Sequence, residues 1–154
     1  MNKKYNLLFL IALFILSLAT KAQINSDFYV DNGTCKCPDA NFGDTGTVTI
    51  NGQQKTFTKR NRSQLDAIIF NDVDDPQIPL TCTSGINDMS FMFYNAKNFD
   101  QPLNNWDVSN VTDMTALFAG SGSNIIFNQP LNNWDVSNVT NMDSMFFDAS
   151  TFNQ

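Results

Sequence analysis

Histidine and glutamate are both missing from this 154-residue chain. With no histidine there is no His-based triad, no imidazole proton shuttle and no imidazole metal ligand. Basic residues are few, nine against fifteen acidic, and beyond Thr83 only Lys97 carries a positive charge. Nucleic acid requires a basic footprint on its partner, which makes it a poor ligand here. An anionic membrane surface is disfavoured for the same reason. No glycine loop of the phosphate-cradling kind is present. The chain also has no long hydrophobic run. Its longest mostly apolar stretch, residues 7–19, has 13 positions, short of the roughly 20 that a membrane span needs.

That stretch follows Lys3 and Lys4 and leads to the small residue Ala22 before Gln23. The pattern is that of a secretory signal peptide over residues 1–22, cleaved between Ala22 and Gln23. It predicts a protein secreted from a bacterium or held on its outer surface. No cysteine lies near the cleavage point, so a lipid anchor there is not expected. Cleavage leaves six basic residues against fifteen acidic, a net charge of −9, which suits a soluble, self-repelling, monomeric species.

Three cysteines remain, Cys35, Cys37 and Cys82. Export puts them in an oxidising compartment where a disulfide is expected. Cys35 and Cys37 are too close to pair comfortably with each other, so one of them should join Cys82 and close a loop of about 45 residues. A zinc site built on three scattered thiols is the weaker reading.

What the chain has in quantity is repetition. Residues 99–114 read FDQPLNNWDVSNVTDM and residues 127–142 read FNQPLNNWDVSNVTNM; fourteen of sixteen positions are identical at an offset of 28. A weaker copy precedes them, with Ile86-Asn87-Asp88-Met89 matching Val111-Thr112-Asp113-Met114 at an offset of 25. A unit this short cannot bury its own apolar face and must stack on its neighbours. The spacing of Leu103, Trp106 and Val108 fits a leucine-rich-repeat strand. The fold predicted is therefore an α/β repeat solenoid over residues 81–154. It would have one short parallel strand per repeat of 25–28 residues and about three coils, the last truncated at Gln154. Trp106, Val108, Val111, Met114, Leu117 and Phe118 would point inward. Residues 114–118 and 142–146 would each form a helical turn, and residues 119–126 a bulged loop.

Ahead of the repeats, residues 23–38 read as an extended segment and residues 39–80 as a small cap. Within the cap, residues 47–50 and 55–59 alternate as strands about Asn51-Gly52, a strong hairpin turn. Ser63 followed by Asp66 marks a short capped helix over residues 63–70.

The phrase WDVSNVT-[DN]-M-x-x-[ML]-F, continued by F-[DN]-Q-P-L, resembles the repeats of BspA-like leucine-rich-repeat surface proteins. It is similar above all to a related repeat family of unknown function from mycoplasma and Bacteroidetes surface proteins. The phrase runs in full over residues 106–131 and again from Trp134 until the chain ends. The stretch CPDANFGDTGTVTINGQ and the later LTCTS resemble the lead-in of flavobacterial members, in which Cys37 and Cys82 are the matching cysteines. The resemblance thus implies a Cys37–Cys82 pair with Cys35 left over. It implies surface display and adhesion-type roles, and no catalytic residues. Thr81 stands where later copies have Trp, so the first copy departs from the pattern.

The candidate ligand face is the set of side chains that alternate with the inward ones: Asn105, Asp107 and Ser109, recurring as Asn133, Asp135 and Ser137. Neighbouring strands lie about 4.8 Å apart, which would stack Asp107 on Asp135 as like charges, screened either by water, as on a plain solvated polar face, or by a cation or cationic ligand. Calcium is a further possibility, at Asp39, Asn41 and Asp44 or at Asp72, Asp74 and Asp75, although neither cluster completes a calcium loop. No other cofactor is expected. The functional expectation is a non-enzymatic binding or adhesion scaffold for extracellular protein or glycan. The alternative is a purely structural spacer, and a remote one is a glycan hydrolase using an aspartate pair.

Overall fold

The computed structural model describes residues 27–122 and 124–154. The signal peptide, with its cleavage point at Ala22 and Gln23, lies outside the described residues. Five strands and a helix follow one another: β1 (Tyr29–Asp31), β2 (Thr34–Lys36), β3 (Thr45–Ile50), β4 (Gln53–Lys59), α1 (Arg62–Asn71) and β5 (Thr81–Cys82). β1 and β2 form an antiparallel pair, while β3, β4 and β5 form a second sheet in that order, with β5 parallel to β4.

Both hairpins turn on Asn-Gly. Asn51 and Gly52 have φ of 51° and 76°, and Asn32 and Gly33 have 48° and 80°. Two consecutive positive φ values match the twist of the flanking strands, which is why this dipeptide closes two-residue hairpins. The first hairpin lies in the segment that the sequence marked only as extended. The helix starts one residue earlier than Ser63. Its cap is Asn61, whose Oδ1 accepts from Gln64 N–H at 2.9 Å while Gln64 Oε1 accepts from Asn61 N–H at 3.0 Å. Asp66 instead pairs with Arg62 one turn back, at 2.7 Å.

The leucine-rich-repeat solenoid is not what forms. Among the described residues the regular structure is two small sheets and one short helix, all of it before residue 83. No strand occurs in either copy of the Leu-Asn-Asn-Trp phrase. Trp106 N–H turns back to Leu103 C=O at 3.0 Å and Val111 N–H to Val108 C=O at 2.9 Å, and Trp134 and Val139 do the same in the second copy. Between these turns Asp107 and Asp135 each accept from the backbone N–H two residues on. Asn, Asp and Ser at this density satisfy backbone groups locally and leave too few free for a ladder. The helical turns expected over 114–118 and 142–146 are also absent, because Ala116 and Ser144 have φ of 51° and 55°.

The copies nonetheless sit side by side in the registers that their alignment implies. Asp88 bridges Asp113 and Asp113 bridges Asn141 in parallel. The N–H groups of Met89, Phe91, Phe93 and Asn95 donate to the carbonyls of Asp113, Thr115, Leu117 and Ala119 at 2.8–3.0 Å. Those of Met114, Ala116, Phe118 and Gly120 donate to Asn141, Asp143, Met145 and Phe147 at 2.8–2.9 Å. The intervening N–H groups close tight turns within each copy. The left-handed residues Phe91, Ala116 and Ser144 make this alternation possible, because a continuous helix would commit every N–H to a carbonyl of its own copy. At the ladder's first edge the Arg62 guanidinium donates to Asp88 C=O and Ser90 C=O, both at 2.9 Å.

The core is aromatic. Phe93, Phe118 and Phe146 stack at 5.5 and 5.6 Å, and Phe99, Phe127 and Phe152 at 5.8 and 6.0 Å. The two columns touch at about 4 Å within each copy, as in Phe118 against Phe127 at 4.1 Å. Trp106, Val111, Met114, Leu117 and Phe118 are fully buried. Ile125, in the inserted stretch between Phe118 and Phe127, joins them. A smaller cluster of Phe28, Val48, Ile50, Phe57 and the cysteines lies under the sheets.

Amide hydrogen exchange tests the ladder. Ala116 and Phe118 N–H groups are bonded across to the next copy. Those of Ser144 and Phe146 meet no backbone carbonyl among the described residues, so they should exchange far faster. Equal protection of the two pairs would contradict this arrangement.

Candidate functional site

The first copy of the candidate face is covered by the chain itself. β2 crosses it, placing Cys35 N–H on Asn105 C=O at 2.8 Å and Gly33 C=O on Asn105 Nδ2 at 2.8 Å. Lys36 Nζ reaches Asp107 Oδ1 at 2.6 Å and Ser109 Oγ at 3.0 Å. Ser84 Oγ donates to Asp107 Oδ2 at 2.5 Å, and Ser109 donates to Oδ1 through both its hydroxyl and its N–H, at 2.7 and 3.1 Å. Thr83 Oγ1 holds the Asp107 carbonyl at 2.9 Å. Only 3% of Asp107 is exposed. Burial by itself would raise its pKa, but the bonds from Lys36, Ser84 and Ser109 outweigh burial and hold the carboxyl below its usual range.

The expectation that Asp107 lies open to a ligand is therefore corrected, and of the screens expected for its charge, water or a cation, it is a cation of the chain itself that serves. Lys36 is that cation. Sequence reasoning missed Lys36, Thr83 and Ser84; the one signal for Lys36 was Asn32-Gly33, which starts a strand whose third residue is Lys36.

The second copy is different. Asn133 is half-buried, with its N–H on Asn104 Oδ1 at 2.9 Å, while Asp135 and Ser137 are exposed. Bonds from the Ser137 hydroxyl and N–H hold the Asp135 carboxyl below its usual range, and the field of Lys36 acts in the same direction against that of Asp107. A polar cleft of about 450 Å³ opens here between the first hairpin and the second copy, lined by Asp31, Thr34, Lys36, Asp107 and residues 132–135. Gly33 forms its near wall. A side-chain carbon at that position would fall inside the Asn133 amide, and its φ of 80° also favours glycine.

Cys37 and Cys82 form a disulfide, 45 residues apart, just beneath this region. Cys35 is free and buried. Burial, with the Asp107 charge second, pushes its thiol up to about 12. It stays protonated and is a poor nucleophile or metal ligand.

The two calcium candidates turn their carboxylates onto their own loops. Asp44 Oδ2 accepts from Asn41 N–H at 2.8 Å, Asp72 Oδ1 from Asp74 N–H at 2.9 Å and Asp75 Oδ1 from Gln77 N–H at 2.8 Å. Among the described residues no group of three or more acidic or cysteine side chains is placed to hold a metal ion. Nor is any described helix long and apolar enough to cross a membrane.

Residues 65–154, more than half of the chain, match the family described as Mycoplasma protein of unknown function, DUF285. The chain belongs to this family. The matched region runs from Leu65 in α1 through both repeat copies, so in the family's terms α1 and the repeats go together, while the two hairpins precede the match. No curated protein matches the chain, and no solved structure does.

Two consequences of the Lys36–Asp107 pair can be measured. Lys36→Met strands a buried carboxylate and should cost about 3 kcal/mol in denaturant unfolding. A carboxyl whose folded pKa is depressed contributes stability that is fully present above its unfolded pKa of about 3.9 and is lost as pH falls through the folded value. The Asp107 contribution to the wild type should therefore be lost progressively as pH falls below about 4. In Lys36→Met burial is no longer offset by the ammonium, the folded pKa of Asp107 rises, and the stability gap to the wild type should narrow as pH falls and the stranded carboxylate is protonated. An unchanged acid limb in the variant would show that Lys36 does not hold the Asp107 charge.

Proposed function

We propose that the protein is a secreted or surface-displayed scaffold, without catalytic activity, that binds extracellular protein or glycan through the second copy of its repeated face. The observation that carries this reading is the unequal use of identical residues. Asn105, Asp107 and Ser109 are satisfied by the chain's own β2, whereas Asp135 and Ser137 are exposed beside a polar cleft of about 450 Å³. A surface location is supported by the signal-peptide pattern, the disulfide and the excess of acid. Adhesion is supported by the resemblance of the repeats to BspA-like surface proteins. A role other than catalysis is supported by the lack of histidine and by the way Asp107, the one buried carboxylate among the described residues, is tied to a lysine and two serines.

The test compares the wild type with an Asn133→Ala, Asp135→Asn double variant on immobilised matrix proteins and on a glycan array. Both positions are partly or wholly exposed, so the melting temperature should stay within a few degrees while binding is lost. Binding retained by the double variant moves the site elsewhere. A wild type that captures nothing on either surface leaves a structural spacer as the better description.

A further inference from the structure

The treatment of the first copy indicates which chemistry the second would take. There, Asn105 holds a passing backbone while Asp107 and Ser109 hold an ammonium group, that of Lys36. Asn133, Asp135 and Ser137 present the same residue types one copy further on. Among the described residues no cation forms an ion pair with Asp135. We propose that this second site takes a lysine side chain carried on an extended segment of a partner protein. The inference rests on the reading that this face is a binding face, and deepens it by naming the ligand.

Charge favours a cation. The residues that line the cleft include three acids, Asp31, Asp107 and Asp135, against one base, Lys36, an excess of two negative charges. Lys36 is already committed to Asp107 and Ser109, at 2.6 and 3.0 Å. A neutral glycan would leave that excess in place, whereas a lysine reduces it. Trp134, half-buried, is among the residues that line the cleft, an apolar neighbour of the kind along which a lysine's methylene stem lies. A carboxylate beside a serine hydroxyl is the arrangement that holds the Lys36 ammonium; a guanidinium fork prefers two parallel acceptor oxygens on one group. The partner segment cannot repeat the course of β2, because the Asn32-Gly33 tip already lies against Asn133. It would abut that tip.

Calorimetric titration of the full chain decides the matter. The probe is a blocked pentapeptide, Gly-Thr-Ser-Lys-Ser, patterned on residues 33–37 with serine for cysteine, together with its ε-acetyl-lysine and arginine forms. Neutral oligosaccharides form a separate arm. The lysine peptide should bind, and more weakly as salt is raised. Acetylation of its lysine, or Asp135→Asn in the protein, should weaken binding by at least about tenfold, and arginine should bind less well than lysine. Asp107 is left intact, so the fold is not at stake. Equal binding of the acetylated peptide, undiminished binding to Asp135→Asn, arginine binding better than lysine, or no binding of the lysine peptide each overturns the lysine assignment. Oligosaccharide binding that needs Asn133 and Asp135, without peptide binding, overturns it but leaves the binding face standing. Failure of every probe here and of both surfaces above overturns both readings.

Discussion

A carboxylate with 3% of its surface exposed cannot stay charged unless its neighbours replace the water it has lost. Asp107 meets that demand with three side chains from three stretches of chain: Lys36 from β2, Ser84 just after β5, and Ser109 two residues on. These bonds, with those of Asn105 to Gly33 and Cys35, hold the N-terminal hairpin against the repeats. The Cys37–Cys82 bridge lies one residue from Lys36 and two from Ser84 and fastens the same junction covalently. The charge distribution follows the same division. Lysines and arginines lie almost wholly in the N-terminal half, carboxylates dominate the repeats, and the two halves meet where a lysine enters the first copy.

One sequence phrase therefore has two fates. In the first copy its polar residues are internal fastenings, and in the second they are surface. The apolar side keeps the same frame in both, through columns of phenylalanine and indole N–H groups that reach back to carbonyls, Trp106 to Ile78 and Trp134 to Leu103, but Val136 and Met142 are exposed where Val108 and Met114 are buried. Identity between copies reports a common packing frame. It does not report a common environment, because environment depends on which other segment lies across each copy.

The elements that were legible in the sequence are those whose cause is local. The β3–β4 hairpin follows from Asn51-Gly52 between alternating residues, and α1 from a polar cap before an apolar stretch, though the cap is Asn61 with Gln64 and not Ser63 with Asp66. The β1–β2 hairpin carries the same Asn-Gly signal but is only three residues a side, too short for alternation to register. The strand expected at Trp106 is absent because Asn, Asp and Ser side chains satisfy its backbone locally. That competition is hard to judge from periodicity, since the apolar spacing is the same whether the backbone is strand or turn.

By itself the sequence determined the register of the copies, Asp88 beside Asp113 beside Asn141, because only matching apolar positions let identical units bury one another. It also determined the turn positions and, through the lack of histidine and of basic residues, the chemistries that are out of reach. Tertiary structure decided the pairing of Lys36 with Asp107 and which of two identical polar faces remains open. Those outcomes depend on contacts between residues 71 or more positions apart, and such contacts are set by how segments fold over one another, which no local pattern records.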